Sequence, residues 1–497
     1  MVTYRDDVAR TGANLTETIL APAHVNSSSF GLYRVLSVDG KVDAQPLYLS
    51  QLSIAGGTHS VVFVATENDS VYAFDPRTGA TLWHVSVLGS GETPSDNHGC
   101  GQITPEIGVT STPVIDRAAG PHGAIFVVAM SKDGSSNYHQ RLHALDIATG
   151  AELFNGPVTV NPTYSSPAGG QKTFSSGQYA ERAALLLDNQ TIYTSWTSHC
   201  DLQPYSGWIV GFGESTLAQT AVLNVAAASD AGPSIWMSGG GLAADSAGNI
   251  YLLTANGAFD TTLDSNGFPQ LGDYGNSFLK LSTAGGGLAV ADYFAPYNEV
   301  AESAADQDLG SSGAMLLPDV TDSGGVVRHL MVGAGKDGNL YVVNRDDMGK
   351  FNPSHDADWQ ELDGALPGPT FSSPAYFNGA VYYGDVGGPL KAFTVAGAKL
   401  STQPASETVT DFPFPGAAPA VSANAASNGI VWVVQNSNPA VLHAYDATDL
   451  TRELYNSNQA PGGRDNFGAG NKFITPTIAD GMVFVGTTNG VAVFAER

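Results

Sequence analysis

The chain has 497 residues, with 47 acidic against 21 basic side chains and a net charge of −26. That balance excludes a nucleic-acid surface or an anionic-lipid surface as partner, and no run of about 18 apolar residues is present to span a membrane. With 58 glycines and only 14% charged residues, the composition points to a turn-rich all-β protein whose charge serves solubility.

Residues 1–30 read as an N-terminal extension packed on the rest, and residues 31–497 as one domain. The first β run is Gly31–Ser37. Ser60–Thr66 and Ser70–Phe74 then flank a tight turn, followed by Asp75-Pro-Arg-Thr-Gly79-Ala-Thr-Leu-Trp83. The frame is a β run, an Asp-like turn residue, a Gly four positions on, then an apolar or aromatic residue. It returns around Asp146 and Gly150, and again around Asp446. Eroded copies centre on Gly213, Ser282, Asn344 and Thr394, and an eighth stops short at Ala495. The eight equivalent positions lie 49 to 71 residues apart, the period of a β-propeller with variable insertions.

One four-stranded sheet cannot bury both of its faces, whereas blades stacked radially can, and a closed ring protects the sheet edges. Eight copies predict eight blades, with seven as the runner-up because the copies at Gly213 and Thr394 are degenerate. The aromatic at the Trp83 position is expected to pack between neighbouring blades. Since the chain ends inside its eighth repeat, an N-terminal strand near Tyr33 is expected to complete the last blade. Cys100 and Cys200 fall in loops of neighbouring repeats. They are either one disulfide, suited to an oxidising compartment, or two buried free thiols.

Residues just ahead of each innermost strand converge on one end of a propeller axis. Here they include Gln45, Thr110, Glu181, Arg182, Trp236, Asp308, Phe371, Phe414 and Phe473. Aromatics, carboxylates and cations on one mouth make a small-molecule pocket, with Asp308, Glu181 and Arg182 as acid/base candidates.

The Asp-x-x-x-Gly-x-x-x-Trp frame resembles the repeat of pyrroloquinoline-quinone (PQQ) proteins. These include the quinoprotein alcohol dehydrogenases and a non-catalytic outer-membrane assembly lipoprotein, and the resemblance covers nearly the whole chain. It implies PQQ and calcium as cofactors, an alcohol or sugar as substrate, and a secreted or periplasmic protein whose leader was removed ahead of Met1. In Thr254-Ala-Asn256-Gly257, Asn256 resembles the family's calcium-binding Asn. Asp308 matches the catalytic base, with Asp306 as runner-up. Lys336, ahead of the Asp337-Gly338 turn, resembles the cation that touches the quinone carbonyls. Asp201, Asn256 and Asp308 would then supply calcium oxygens, and Trp236 would lie against the quinone. The chain departs from the family in three places. Cys100 has no adjacent cysteine, the loop Ile103–Pro113 has no Arg, and Gly239-Gly-Gly lacks the usual Trp after it. No Cys-x-x-Cys-His haem motif is present, so electrons would pass to an external acceptor. Two readings therefore stand: a quinoprotein-like oxidoreductase, or a non-redox propeller that binds, scaffolds, or uses Glu181, Arg182 and Asp308 for acid/base chemistry.

Overall fold

A computed structural model describes residues 1–497. Each repeat is a four-stranded antiparallel sheet, and eight of them form a ring. Blade 1, for example, runs Leu47–Ile54, Gly57–Ala65, Ser70–Phe74 and Thr81–Ser86 from inside to outside. The innermost strands of blades 2 to 7 are Val114–Asp116, Tyr179–Glu181 with Leu186–Asp188, Ala243–Ala244, Met315–Leu316, Ala375–Phe377 and Ala420–Asn424. Blade 8 begins with Thr477–Ala479. Its third strand, Gly490–Glu496, pairs antiparallel with Phe30–Ser37, from Phe30 opposite Glu496 to Ser37 opposite Gly490. The two ends of the chain thus close the ring, and the blade count is eight rather than seven.

The repeated residues have distinct local tasks. The Asp75 carboxylate accepts hydrogen bonds from the backbone N–H groups of Arg77 and Thr78, at 2.9 and 3.0 Å. The Asp146 carboxylate does the same for Ala148 and Thr149. Each is an Asx turn that carries the third strand into the outer one. Gly150 closes its turn at φ +71°, and a Cβ there would come within 2.9 Å of the Trp83 ring. The Trp83 indole donates to the carbonyl of Ile147 at 2.9 Å. The Trp of one blade therefore packs on the Gly turn of the next, which accounts for both repeated positions through blade-to-blade contact.

The apolar core follows these junctions. Separate buried clusters fill the junctions of blades 1 and 2, 2 and 3, 5 and 6, 6 and 7, 7 and 8, and 8 and 1. A 29-residue cluster spans blades 3, 4 and 5. Every blade is sandwiched in this way, so apolar side chains on both sheet faces are buried.

Residues 1–14 run around the inside of the ring and bond to the innermost strands of seven blades and, in blade 3, to Leu185 just ahead of Leu186–Asp188. The carbonyls of Met1, Val2, Val8, Ala9, Thr11 and Gly12 accept from Tyr48, Ile115, Ala244, Leu316, Tyr376 and Val421. Arg10 donates to the carbonyl of Leu185 at 3.2 Å, and Asn14 to that of Ile478 at 2.9 Å. Arg5 and Arg10 are fully buried in this segment. The attachment lies five to eight residues along the strands from Trp236, Asp308, Phe371, Phe414 and Phe473, so it closes the end of the channel opposite the mouth.

Candidate functional site at the axial mouth

Three segments from blades 4 and 5 meet at the mouth: the end of Ile250–Leu253, the loop ahead of Met315–Leu316, and the turn after Leu330–Ala334. Their approach is close. A Cβ on Gly310 would collide with the Thr254–Ala255 backbone, and one on Gly335 would reach 2.6 Å from the Cα of Leu309. The result is a compact polar cluster. Asp308 is 8% exposed. Its Oδ1 accepts from the backbone N–H of Asn256 at 2.7 Å, and its Oδ2 lies 2.5 Å from the Lys336 ammonium. Lys336 also reaches Asp306 at 3.0 Å, and the Asn256 side-chain amide donates to Asp306 at 3.0 Å. Burial raises the Asp308 pKa, against the pull of Lys336 and the Asn256 N–H. Burial on its own would lower Lys336, but Asp308 and Asp306 outweigh it and leave that pKa raised.

Asp308, Asn256 and Lys336, chosen from three separate motifs, are therefore in direct contact. Asp201 stands apart: it is exposed and accepts from the Tyr205 hydroxyl at 2.9 Å. Tyr205 is buried, and its pKa is pushed up by burial, then by Asp201 and Asp308. Trp236 is joined to the Asp308 turn through Ser238, whose hydroxyl donates to the Ser311 carbonyl at 2.7 Å. Its ring sits edge-on to Phe473 and Phe371, with centroids at 5.4 and 5.9 Å.

Glu181 and Arg182 lie across the mouth. Glu181 is buried with neither carboxylate oxygen in hydrogen-bond geometry, and burial raises its pKa well above the ordinary value against the smaller pulls of the Ser111 hydroxyl and Arg182. Arg182 lies over the Phe473 ring at 5.2 Å. Near them Asp43 pairs with Lys41 at 3.1 Å and accepts from the Asn471 amide at 2.6 Å. Tyr205, Lys41 and Asp43 escaped the sequence reading. Lys41-Val-Asp43 lies just ahead of Gln45, so the position rule applied to Gln45 reaches it if extended by two residues. Tyr205 has no such signal.

Cys100 and Cys200 are bonded, with Cα atoms 5.8 Å apart; the free-thiol alternative is set aside. The bridge ties a loop between blades 1 and 2 to one in blade 3. The rings of His98 and His199, just ahead of the cysteines, stack 4.0 Å apart. Lys472 donates to the Gly101 carbonyl at 3.1 Å, which holds this loop against the mouth. A cavity of about 640 Å³ opens at the other end of the ring among Val8, Asp188, Tyr251, Lys280 and Arg345. Of its polar groups, Lys280 bonds the Arg345 carbonyl and Tyr251 bonds Asp245, both at 2.8 Å. The convergent polar groups, not this volume, single out the axial mouth.

Residues 67–232 match the family described as outer membrane protein assembly factor BamB. No curated protein matches the chain. Among solved structures, quinohemoprotein alcohol dehydrogenase from Comamonas testosteroni is similar with a TM-score of 0.62 and 15% identity, over 99% of this chain and 80% of that one. Quinohemoprotein alcohol dehydrogenase ADHIIG from Pseudomonas putida HK5 gives 0.61 and 12%, with the same coverage. A europium-containing methanol dehydrogenase gives 0.58 and 14%, over 99% and 97%. With its eight blades, its Asx-turn repeats and these likenesses, the chain is an eight-bladed β-propeller whose fold is similar to that of the quinoprotein dehydrogenases and whose residues 67–232 match the BamB family's repeat.

Proposed function

We propose that this protein is a secreted or periplasmic quinoprotein-like oxidoreductase that oxidises an alcohol or sugar at the axial mouth and passes electrons to an external acceptor. The observation that carries this reading is the contact of Asp308 with both Asn256 and Lys336, at 2.7 and 2.5 Å. A buried base, a hard-oxygen neighbour and a cation occupy one point, as the resemblance implies. The similar solved structures are quinohemoprotein alcohol dehydrogenases and a methanol dehydrogenase, and the Cys100–Cys200 bridge suits an oxidising compartment.

The donor set fits a calcium-dependent quinone in chemical kind. The oxygens of Asp306, Asp308 and Asn256 are the hard donors calcium takes, and the ion would have to take the place of the Lys336 ammonium that now bridges the two carboxylates; Asp201, bonded to Tyr205, lies outside this group. Lys336 would face the acceptor oxygens of the quinone, and Trp236 offers it an aromatic wall. When bound, PQQ supplies a two-electron acceptor. The chain's own residues handle the proton. Asp308, raised by burial, takes it from the substrate hydroxyl. Lys336 stabilises the charged carboxylate beforehand, and the Asn256 N–H fixes the orientation of Oδ1.

The test is to add PQQ and calcium to purified protein and follow absorbance, melting temperature and dye reduction. The expected result is a new absorbance band, a higher melting temperature and calcium-dependent turnover. In the Asp308→Asn variant turnover should fall by about 10²-fold or more with quinone binding retained. If none of these signals responds to the quinone, the redox reading fails. A second reading, a non-redox binding or scaffold propeller, is favoured by the four aromatic rings that close over the axis.

A further inference from the structure

Two insertions interrupt the regular repeats. One is the hairpin of Thr163–Ser165 and Gln171–Thr173, between the outer strand of blade 2 and the inner strand of blade 3. The other runs from residue 257 to 275, between the second and third strands of blade 4. They lengthen their repeats to about 70 residues, against about 50 in the last three blades. Other blades close their sheets without such segments, yet both of these are tied down. Lys172 of the hairpin pairs with Asp230. The loop is fastened to blade 3 by the Tyr274 N–H, which donates to the Val225 carbonyl at 2.9 Å, and by a bridge between Ala226 and Asp273. The two insertions meet on the flank of the ring, where a Cβ on Gly272 would lie 3.6 Å from the Pro167 ring.

Between them and the outer edges of blades 3 and 4 lies a slot of about 260 Å³. Tyr164 and Pro167 come from the hairpin, Phe268 and Tyr274 from the loop, Leu223 from blade 3, and Leu288 and Val290 from blade 4. In a chain of net charge −26, no charged side chain lines it. The walls are apolar but carry two phenols. Tyr274 is 7% exposed and belongs to the core cluster of blades 3 to 5. Its hydroxyl makes no hydrogen bond within the chain, and burial, the leading cause, pushes its pKa up. That oxygen is not sealed in the core either, so it opens on the slot. The Tyr164 hydroxyl likewise has no partner in the chain. Phenols at such depth ordinarily find one.

We infer that this slot binds a small neutral molecule, an apolar body carrying one oxygen that hydrogen-bonds the Tyr274 hydroxyl. The slot is larger than the cavity of about 150 Å³ that takes up benzene and smaller than most drug-sized pockets. That sets the ligand at one ring or two fused rings, packed against Phe268, Leu223 and Leu288. An ion is disfavoured, because no opposite charge stands in the lining to offset its desolvation. The site lies on the flank, away from the axial mouth. It needs no metal, quinone or electron transfer and stands apart from the redox reading.

Calorimetry at pH 7 on the full disulfide-bonded chain tests it with three probes of one shape. They are neutral 1-indanone, cationic 1-aminoindane and anionic indane-1-carboxylate. Indanone should bind at least about tenfold tighter than either ion. Tyr274→Phe should weaken indanone by about threefold to tenfold and leave the melting temperature unchanged, because the hydroxyl holds nothing in the native chain. Ala289 is exposed on the outer strand of blade 4 and borders the slot. Ala289→Trp fills the slot with a side chain that strands accept, and should abolish binding. If that variant does not fold, Val290→Trp is read in the same way. No binding of indanone, equal affinity for the three probes, native affinity in Tyr274→Phe, or undiminished binding in Ala289→Trp overturns the inference.

Discussion

Glu181 shows how a single residue couples the mouth to pH. It is buried, neither oxygen is in hydrogen-bond geometry, and burial, the dominant cause, lifts its pKa well above that of an exposed carboxylate. A folded-state pKa above the unfolded one means that the folded chain holds the proton more tightly. The stabilising contribution is then full below about pH 4.3 and is lost as pH rises through the folded value. Glu181→Gln keeps the shape and removes the titration. It should match the native melting temperature at pH 5 and exceed it at pH 8, and a variant curve parallel to the native one across that range would contradict this. Glu181 was legible in the sequence as a mouth residue, but its isolation was not, because isolation depends on what the neighbouring blades fail to supply.

At the level of elements, the ring depends on joints the chain makes with itself. Phe30, at the start of the closing strand, is fully buried against Trp432, Tyr455 and Phe494, with ring centroids at 5.3, 5.1 and 6.3 Å. Phe30→Ala leaves a cavity at the seam of blades 7 and 8. It should cost about 3–5 kcal/mol, read as a marked drop in melting temperature and as faster proteolysis near the termini. The Cys100–Cys200 bridge closes a 100-residue separation, so Cys100→Ser with Cys200→Ser should cost up to about 5 kcal/mol. A double variant as heat-stable as the native chain would show that the loops hold each other without the bridge. The segment 1–14 was read only as a packed extension, and its circuit of the eight blades has no periodic signal. It uses carbonyls, which any sequence possesses, and two arginines whose depth the sequence does not reveal.

Across the whole molecule, many carboxylates share the situation of Glu181. Burial is the leading cause in each: Glu67 and Asp69 are raised well above the ordinary value, Glu299 and Asp358 to about 7, and Glu302 to about 8. Each of these favours the folded state at acidic pH and loses that contribution as pH climbs through its folded value. Glu92 and Asp96 behave oppositely. Each is lowered to about 2 by hydrogen bonding, to Arg141 and Lys132 respectively, so their support is present above the ordinary carboxylate range and lost only toward pH 2. Repulsion within a net charge of −26 adds to the alkaline loss. Scanning calorimetry should find maximal stability near about pH 5 and a decline from pH 6 to 9. A maximum above pH 8 would contradict the assignment of these buried groups.

The architecture was determined by the sequence itself, because a propeller repeats its local chemistry. Asp75, Asp146 and Asp446 must cap the same turn, Gly150 must admit Trp83 from the blade before it, and a chain that ends at its third strand needs another from Phe30–Ser37. Such signals lie within a few residues of one another or recur at the blade period. Asp308 was named from its place ahead of an innermost strand, and Asn256 and Lys336 from the resemblance of their motifs. Their contacts belong to the tertiary structure, as do the Tyr205–Asp201 hydrogen bond, the Arg182 guanidinium over the Phe473 ring and the left-handed Phe473. Those features arise where loops from different blades meet on the axis. There the distance between residues far apart in sequence is set by how eight sheets pack, and no local pattern encodes it.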